Sequence, residues 1–470
     1  MFESMISWQS IAAVFILWIV YHILVALYRV TYHPLTAFPG PKLAALSYKY
    51  EFYFDGILGG QYTAEISRMH EKYGPIVRIN PEELHCNDPG FVDQIYPGGG
   101  ERRDKSAYHV AQFGAAVSLA GIGSVHHNLH RLRRGALNRF FSKAAIVKIE
   151  PLVHTLAQKL CDKLLARSKD GRPAFNISMA YSCFTTDIIT RYCFGQSYGY
   201  LDQEEFEPNL GQAIVTSVAA GAFVKQWPFL FTIMDSTPDY VAKLFSANLK
   251  EFIVYQANLR KHVKKIKRMY IEDKKKAIEG DKSIFGELLE SSLPENEKTV
   301  ERLGAESSVL IGAGTETTNA VILESIRLSY GAATRLPRVS PDKDLYYKGL
   351  SHEYIIPKGT PVGMTSVIMH ANEAIFPQAA LFMPERWLRD DGTRRTELEK
   401  YLMSFSKGSR ICLGMNLAYC ELYILLAALV LKVFPRLKLF ETTVEDVEFH
   451  HDMFLPMTKP ESLGVRVLIE

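Results

Sequence analysis

Residues 11–28 read IAAVFILWIVYHILVALY, an apolar run with no formal charge. As a helix rising 1.5 Å per residue it spans about 27 Å, roughly one bilayer core. Trp8, Trp18, Tyr21 and Tyr28 are aromatic residues of the kind that sit at membrane interfaces. A cleaved signal peptide is the rival reading. Against it, the run is long, no basic segment precedes it and no small-residue cleavage site follows. Glu3 is the one charge before the run, while Arg29, Lys42 and Lys49 follow it. The positive-inside rule then places the chain after residue 29 in the cytosol, as a single-pass protein. On that topology the sequon Asn176-Ile177-Ser178 stays unglycosylated. Residues 1–30 are thus expected to be an anchor. Residues 31–42, with Pro34 and Pro39-Gly40-Pro41, form a stiff non-helical hinge, because proline fixes φ and removes amide donors.

Beyond the hinge the pattern is mostly helical. Apolar positions recur with helical period at 127–148, 150–166, 177–194, 240–280, 302–328 and 415–432. Alternating, β-like runs occupy 75–86 and 353–369, with turn residues between them. No fixed-period repeat and no second linker interrupts 43–470, so the expectation is one mainly α body with a minor β region. The basic run Lys261–Lys276 reads as the solvated face of a surface helix.

Composition narrows the class. Hydrophobic residues make up 47% and charged residues 22%, which is ordinary globular usage. The formal charge is +3, giving no electrostatic case for nucleic acid. Six scattered cysteines do not make a disulfide framework. Gly98-Gly99-Gly100 and Gly121-Ile122-Gly123 lack the dinucleotide fingerprint, and no phosphate loop is present.

The candidate chemistry lies at 405–414, FSKGSRICLG, which reads F-x-x-G-x-R-x-C-x-G. Five fixed positions give a chance expectation on the order of 10⁻⁴ over the chain. The pattern suits a thiolate held against haem iron. Gly408 permits a tight turn, and Gly414 lets the backbone approach a flat cofactor. Backbone amides and the start of the next helix stabilise a sulfur anion at Cys412. Arg410 can pair with a propionate. The other cysteines stand in no such pattern.

On these residues the chain resembles the cytochrome P-450 family of haem-thiolate monooxygenases over nearly its whole length. The resemblance implies that fold, with haem b bound through an axial thiolate from Cys412 within the loop that Phe405 opens. It implies dioxygen and a hydrophobic small molecule as substrates, and electrons from NADPH through a separate cytochrome reductase. Ala313-Gly-Thr-Glu316-Thr317-Thr318 is similar to the family's oxygen-activation motif, whose acid–threonine pair relays protons; Glu316 and Thr317 match it. Glu324-x-x-Arg327 and Arg386, in FMPERWL, match its structural triad. His130 and Arg134, in HRLRR, and Arg338, in RLPRVSP, match propionate contacts; His130 stands where tryptophan is common. RLSYGAATRLPRVSP, FMPERWL and GMNLAYCELY resemble fungal microsomal members of the trichodiene oxygenase type. That implies the endoplasmic reticulum membrane and a secondary metabolite such as a terpenoid.

The chain departs from the family's pattern at one place. Asn319–Leu323 alone separates Thr318 from Glu324, where the family places several dozen residues. The threonine belongs above the haem and the E-x-x-R helix below it. From Thr317 to Glu324 the chain reaches about 10 Å as helix and at most about 25 Å extended. SSVLIGAGTETTNAVILESIRLSY reads as one unbroken helix. The expectation is an internal deletion near 318–324, and with it a variant of impaired or absent activity as the alternative reading.

Overall fold

The computed structural model describes residues 8–113, 117, 119–169, 171–206, 221–229, 261, 263–268, 271, 284–313, 320–350, 352–389 and 393–470. The first helix runs Trp8–Thr31, and its apolar stretch from Ser10 lies wholly outside the body. Its end is tied down by two bonds: Arg29 donates to the carbonyl of Leu46 at 2.8 Å, and Arg78 donates to that of Arg29 at 2.8 Å. The hinge is less extended than its prolines suggest. Pro34–Ala37 forms a 3-10 turn, with His33 Nδ1 accepting from the Leu35 amide. Proline fits the first turn position because its missing N–H has no partner to lose there. Leu35 and Phe38 are buried, so the hinge is sewn into the body rather than swinging free.

Helix Ile177–Phe194 ends where its caps place it. The Asn176 side chain accepts from the Ser178 amide, and Gly195 closes the helix in the left-handed region with φ 74. Helix Met415–Lys432 likewise matches its expected bounds. The break expected near 149 lies instead at 139–142, between helices His127–Asn138 and Lys143–Lys169. Ser142 caps the second helix through Oγ and its carbonyl, and Pro151 lies inside it. Proline inside a helix costs about 3 kcal/mol. Here Ile146, Val153, Ala157, Leu160 and Leu164 are buried on one face and outweigh that cost. This face packs on helices Ile177–Phe194 and Met415–Lys432, forming the main core with Phe184, Ile188, Leu425 and Leu429.

The segments 240–280 and 302–328 are described only in part. Val263 and Ile266 are buried and Lys264 and Lys265 exposed, which fits a surface helix. The second segment holds helices Val300–Ala313 and Ala320–Ser329, and its junction at 314–319 lies outside the described residues.

The described residues contain β1 (Ile76–Arg78), β2 (Leu84–Cys86), β3 (Asp104–Lys105), β4 (Phe175–Asn176), β5 (Arg338–Val339), β6 (Leu345–Lys348), β7 (Glu353–Ile356), β8 (Pro361–Gly363), β9 (Leu437–Leu439), β10 (His451–Met453), β11 (Leu455–Met457) and β12 (Arg466–Ile469). The main sheet has the order β1-β2-β8-β5-β3. It joins both expected β regions through the parallel β2–β8 pair. The run 353–369 is not all strand, since Ser366–His370 forms a helical turn. At the sheet's far edge Lys105 and Arg338 are direct antiparallel partners.

Candidate haem-thiolate site

The cysteine loop is closed by one backbone bond, from the Cys412 amide to the Phe405 carbonyl at 2.8 Å. The Phe405 ring packs on Tyr419, 5.5 Å between centroids, fastening the loop to the helix that follows it. Gly408 has φ +70, and a Cβ there would strike the carbonyl oxygens of Pro97 and Tyr96. Its freedom therefore serves a close approach to the chain at 96–97 as well as the turn. Gly414 has ordinary φ, and a Cβ there meets nothing within 4 Å. The Cys412 sulfur accepts from the amides of Gly414 and Met415, at the start of helix Met415–Lys432. Burial pushes the thiol pKa up, while these amides and the Arg134 charge pull it down; burial prevails. Coordination of a cation reverses that balance, because a metal-bound thiol is deprotonated.

Around the loop, cations crowd together. The Arg410 guanidinium is buried and donates to the carbonyls of Ser124 at 2.7 Å and Val125 at 2.8 Å. Its Nε is buried without a partner among the described residues. Arg338 donates to the Leu336 carbonyl at 3.0 Å and to Ser406 Oγ at 3.2 Å. Lys105, its partner across the sheet, donates to the Ile122 carbonyl at 2.6 Å. Arg134 donates to the carbonyls of Ile411 at 2.6 Å and Cys412 at 3.5 Å. Among the described residues none of these four makes an ion pair with a carboxylate. Burial, then the Arg338 charge, lowers Arg410 to about 9. Burial and the Arg410, Lys105, Arg134 and Arg338 charges hold His130 down at about 3, a neutral ring. Lys105 is pushed well below its usual value by burial, Arg338 and Arg410.

Like charges facing each other across a ladder destabilise it, and buried charges call for counter-charges. The set is therefore matched to a dianion such as the two propionates of haem b, which charge-assisted bonds from arginine and lysine would hold. Lys105 was not singled out from the sequence. It sits on a two-residue strand with no motif around it, and only the pairing with Arg338 brings it to the site.

On the E-x-x-R helix, Glu324 is fully buried and accepts from five donors. Arg327 Nε and Nη2 reach it at 3.0 and 2.8 Å, Arg386 Nε at 2.9 Å, the Met383 amide at 3.0 Å and Trp387 Nε1 at 2.9 Å. The expected triad is assembled, with Trp387 as a fourth member that its apolar ring concealed in the sequence. Ser404 Oγ donates to the Ile326 carbonyl at 2.7 Å and links this brace to the cysteine loop. Thr317 and Glu316 lie outside the described residues. The helix leading to them is held by Arg302, which donates to Glu297 at 3.0 Å and forms an ion pair with Glu306 at 2.6 Å; Glu306 Oε2 accepts from the Gly121 amide at 2.9 Å.

A cysteine loop, a buried cation cluster and a Glu–Arg–Arg brace thus occur together in one helical body. A family model described as Cytochrome P450 matches residues 52–320 and 318–464. The chain belongs to the cytochrome P450 family. Its P450 relatives include a cytochrome P450 monooxygenase of Ascocoryne sarcoides, 37% identical over 504 residues, covering 94% of this chain and 95% of the relative. An N-acetyltryptophan 6-hydroxylase of Emericella nidulans is 34% identical over 525 residues, covering 100% of this chain and 99% of the relative. A conidiogenone synthase of Penicillium rubens is 35% identical over 485 residues, covering 94% of this chain and 96% of the relative. P450 enzymes are haem-thiolate proteins with an axial cysteine, and this chain is an enzyme of the P450 monooxygenase class.

Proposed function

We propose that this P450 inserts one oxygen atom from dioxygen into a hydrophobic secondary metabolite, such as a terpenoid or an indole derivative, with electrons from NADPH supplied through a membrane-bound reductase. When bound, haem supplies the activation of dioxygen. The residues of the chain do the rest. Cys412 would hold the iron, its thiolate formed on coordination and steadied by the Gly414 and Met415 amides. Arg410, Arg338, Lys105 and Arg134, with His130 beside them, would hold the propionates. Gly408 and Phe405 fix the loop that carries the thiolate. Glu316 and Thr317, which match the family's acid–threonine motif, would supply the protons that cleavage of dioxygen needs. Glu324, Arg327 and Arg386 keep the cysteine loop in register. The relatives named for N-acetyltryptophan and conidiogenone support a secondary-metabolite substrate. The exposed apolar helix Trp8–Thr31 supports a single-pass anchor in the endoplasmic reticulum membrane with a cytosolic catalytic body.

The observation that carries this reading is the set of buried (Arg410, Arg338) and half-buried (Lys105, Arg134) cations without ion-paired carboxylates among the described residues, adjoining the Cys412 loop. The test is the reduced carbon-monoxide difference spectrum of the expressed chain. The long-wavelength Soret band of a thiolate adduct, lost in Cys412→Ala, is expected; a haem-loaded wild type without it refutes the assignment.

A second reading has its own support. The family match falls into two blocks that meet at 318–320. The 525-position alignment against a 470-residue chain leaves about 55 positions unfilled on this chain's side. Both fit an internal deletion between Thr318 and Glu324, and a variant with weakened haem retention and turnover. Inserting the corresponding segment of a relative at that junction is expected to raise haem content per chain. Unchanged haem content and turnover would refute the deletion as the cause.

A further inference from the structure

One buried polar group is left over when the cation cluster and the Glu324 brace are accounted for. His109 is 4% exposed, and both of its ring nitrogens lack a hydrogen-bond partner among the described residues. Three residues later, Gln112 buries its Nε2, likewise without a partner among them. The two side chains stand on one short segment, the helical turn Ala107–Val110 and the 3-10 turn Ala111–Phe113 after it. Burying donors and acceptors without partners is costly, so two such side chains in one segment call for a partner.

The surroundings say what kind. The charges acting on His109 are Arg335, Lys225, Lys105 and Arg338, all cations. Burial and these charges keep the ring neutral, with one N–H to give and one lone pair to receive. Arg335 and Lys225 are already paired, through Glu51, Glu83 and Asp55. Lys105 and Arg338 have no ion-paired carboxylate among the described residues. The segment is tied to its neighbours. The Ser106 hydroxyl caps it at the His109 amide, and Tyr108 packs on Tyr48 at 4.2 Å while its hydroxyl accepts from Gln226 at 2.7 Å. Next to it the Phe113 ring meets Phe454 edge to face at 5.1 Å. Phe454 has φ 72, a conformation a bulky residue seldom adopts. Two bonds hold it there. Its amide donates to Asp452 Oδ1 at 2.8 Å, and its carbonyl accepts from the Ala333 amide at 2.9 Å. A polar pair on a tied-down segment thus stands beside the Phe113–Phe454 contact, with cations around His109.

We infer that His109 and Gln112 form a recognition point for a hydrogen-bond-accepting group, a carboxylate or carbonyl, carried by an otherwise apolar substrate. This rests on the monooxygenase reading and sharpens its substrate class. The same chemistry is available from a haem propionate, so the test separates the two sources. The full chain is expressed with haem, and haem per chain is measured from its absorbance. Binding is then titrated by calorimetry with paired probes that differ only in the acceptor: N-acetyltryptophan against N-acetyltryptamine, and farnesoic acid against farnesene. Wild type is expected to favour the acceptor-bearing member of at least one pair about tenfold. His109→Leu and Gln112→Leu are expected to abolish that preference at unchanged haem content, and His109→Asn to restore part of it. No preference in either pair, or a preference that survives His109→Leu, overturns the inference. Loss of haem in His109→Leu with the preference intact in Gln112→Leu assigns the ring to the propionate instead and equally overturns it. Failure of the monooxygenase reading itself is seen separately, as a missing thiolate–carbon-monoxide band.

Discussion

Glu324→Ala is expected to be among the most damaging single substitutions in the chain. The carboxylate is fully buried and receives hydrogen bonds from two arginines, a tryptophan and a backbone amide. Truncation leaves the Arg327 and Arg386 guanidinium groups buried without their counter-charge, although each keeps carbonyl partners: His370 at 2.8 Å for Arg327 and Pro377 at 2.7 Å for Arg386. Breaking a buried ion pair from one side costs about 3–5 kcal/mol. Two cations share this partner, so the upper end, about 5 kcal/mol, is expected, against a total stability of about 5–15 kcal/mol. Glu324→Gln keeps the volume and one acceptor and should cost about 3 kcal/mol. The assay is guanidinium unfolding of the detergent-solubilised chain by far-ultraviolet circular dichroism. Acid gives a second check. Burial raises the Glu324 carboxyl pKa, but the bonds from Arg327, Met383 and Trp387 outweigh it and hold the value below the usual range. Its contribution is therefore present above the unfolded carboxyl pKa and lost as pH falls through the lower folded value. Wild type and Glu324→Gln should converge in acid. A loss under about 1 kcal/mol in Glu324→Ala at neutral pH refutes the brace.

Three further outcomes are expected. Lys105→Met should stabilise the haem-free chain by removing a buried cation that faces Arg338, yet weaken haem retention about tenfold; chemical denaturation and haem transfer to apomyoglobin read the two signs, and the same sign in both refutes the anion-binding role. Burial holds His70 at about 4, so between about pH 6.5 and 4 the unfolded chain takes up a proton that the folded chain refuses. Stability should fall by up to about 3 kcal/mol across that window, and His70→Gln should flatten the fall in a pH series of unfolding midpoints; an unaltered slope excludes His70 as its source. Removal of residues 1–31 should shift the chain from the membrane pellet to the supernatant on fractionation; full retention would mean that another surface holds it.

The parts of the molecule written in contiguous residues were legible. The caps Asn176 and Gly195 bound their helix, and the Cys412 loop and its helix stand where the motif puts them. The Glu324–Arg327–Arg386 contact was legible only through resemblance, since i,i+3 spacing explains the first pair and nothing local explains the third. Lys105, Trp387 and His109 were not legible. Each gains its meaning from a partner far along the chain: Lys105 from Arg338, Trp387 from Glu324, and His109 from cations on several segments. The misplaced helix break has a different origin. The apolar face of Lys143–Lys169 runs on past residue 149 and through Pro151, so packing rather than local periodicity sets the break at 139–142.

The helix that follows Cys412 has one more consequence. Met415–Lys432 is apolar enough, by length and hydropathy, to cross a membrane, as is Ser10–Thr31. On the proposed anchor topology, Ser10–Thr31 would emerge long before Met415–Lys432 and hold the growing chain beside a bilayer. Met415–Lys432 then has two competing solvents, the lipid and the core offered by Lys143–Lys169 and Ile177–Phe194. Only the core leaves the cysteine loop on the helical body. On that topology assembly of the earlier helices would be a race, and a substitution that slows it would be read out as an extra membrane crossing rather than as simple unfolding.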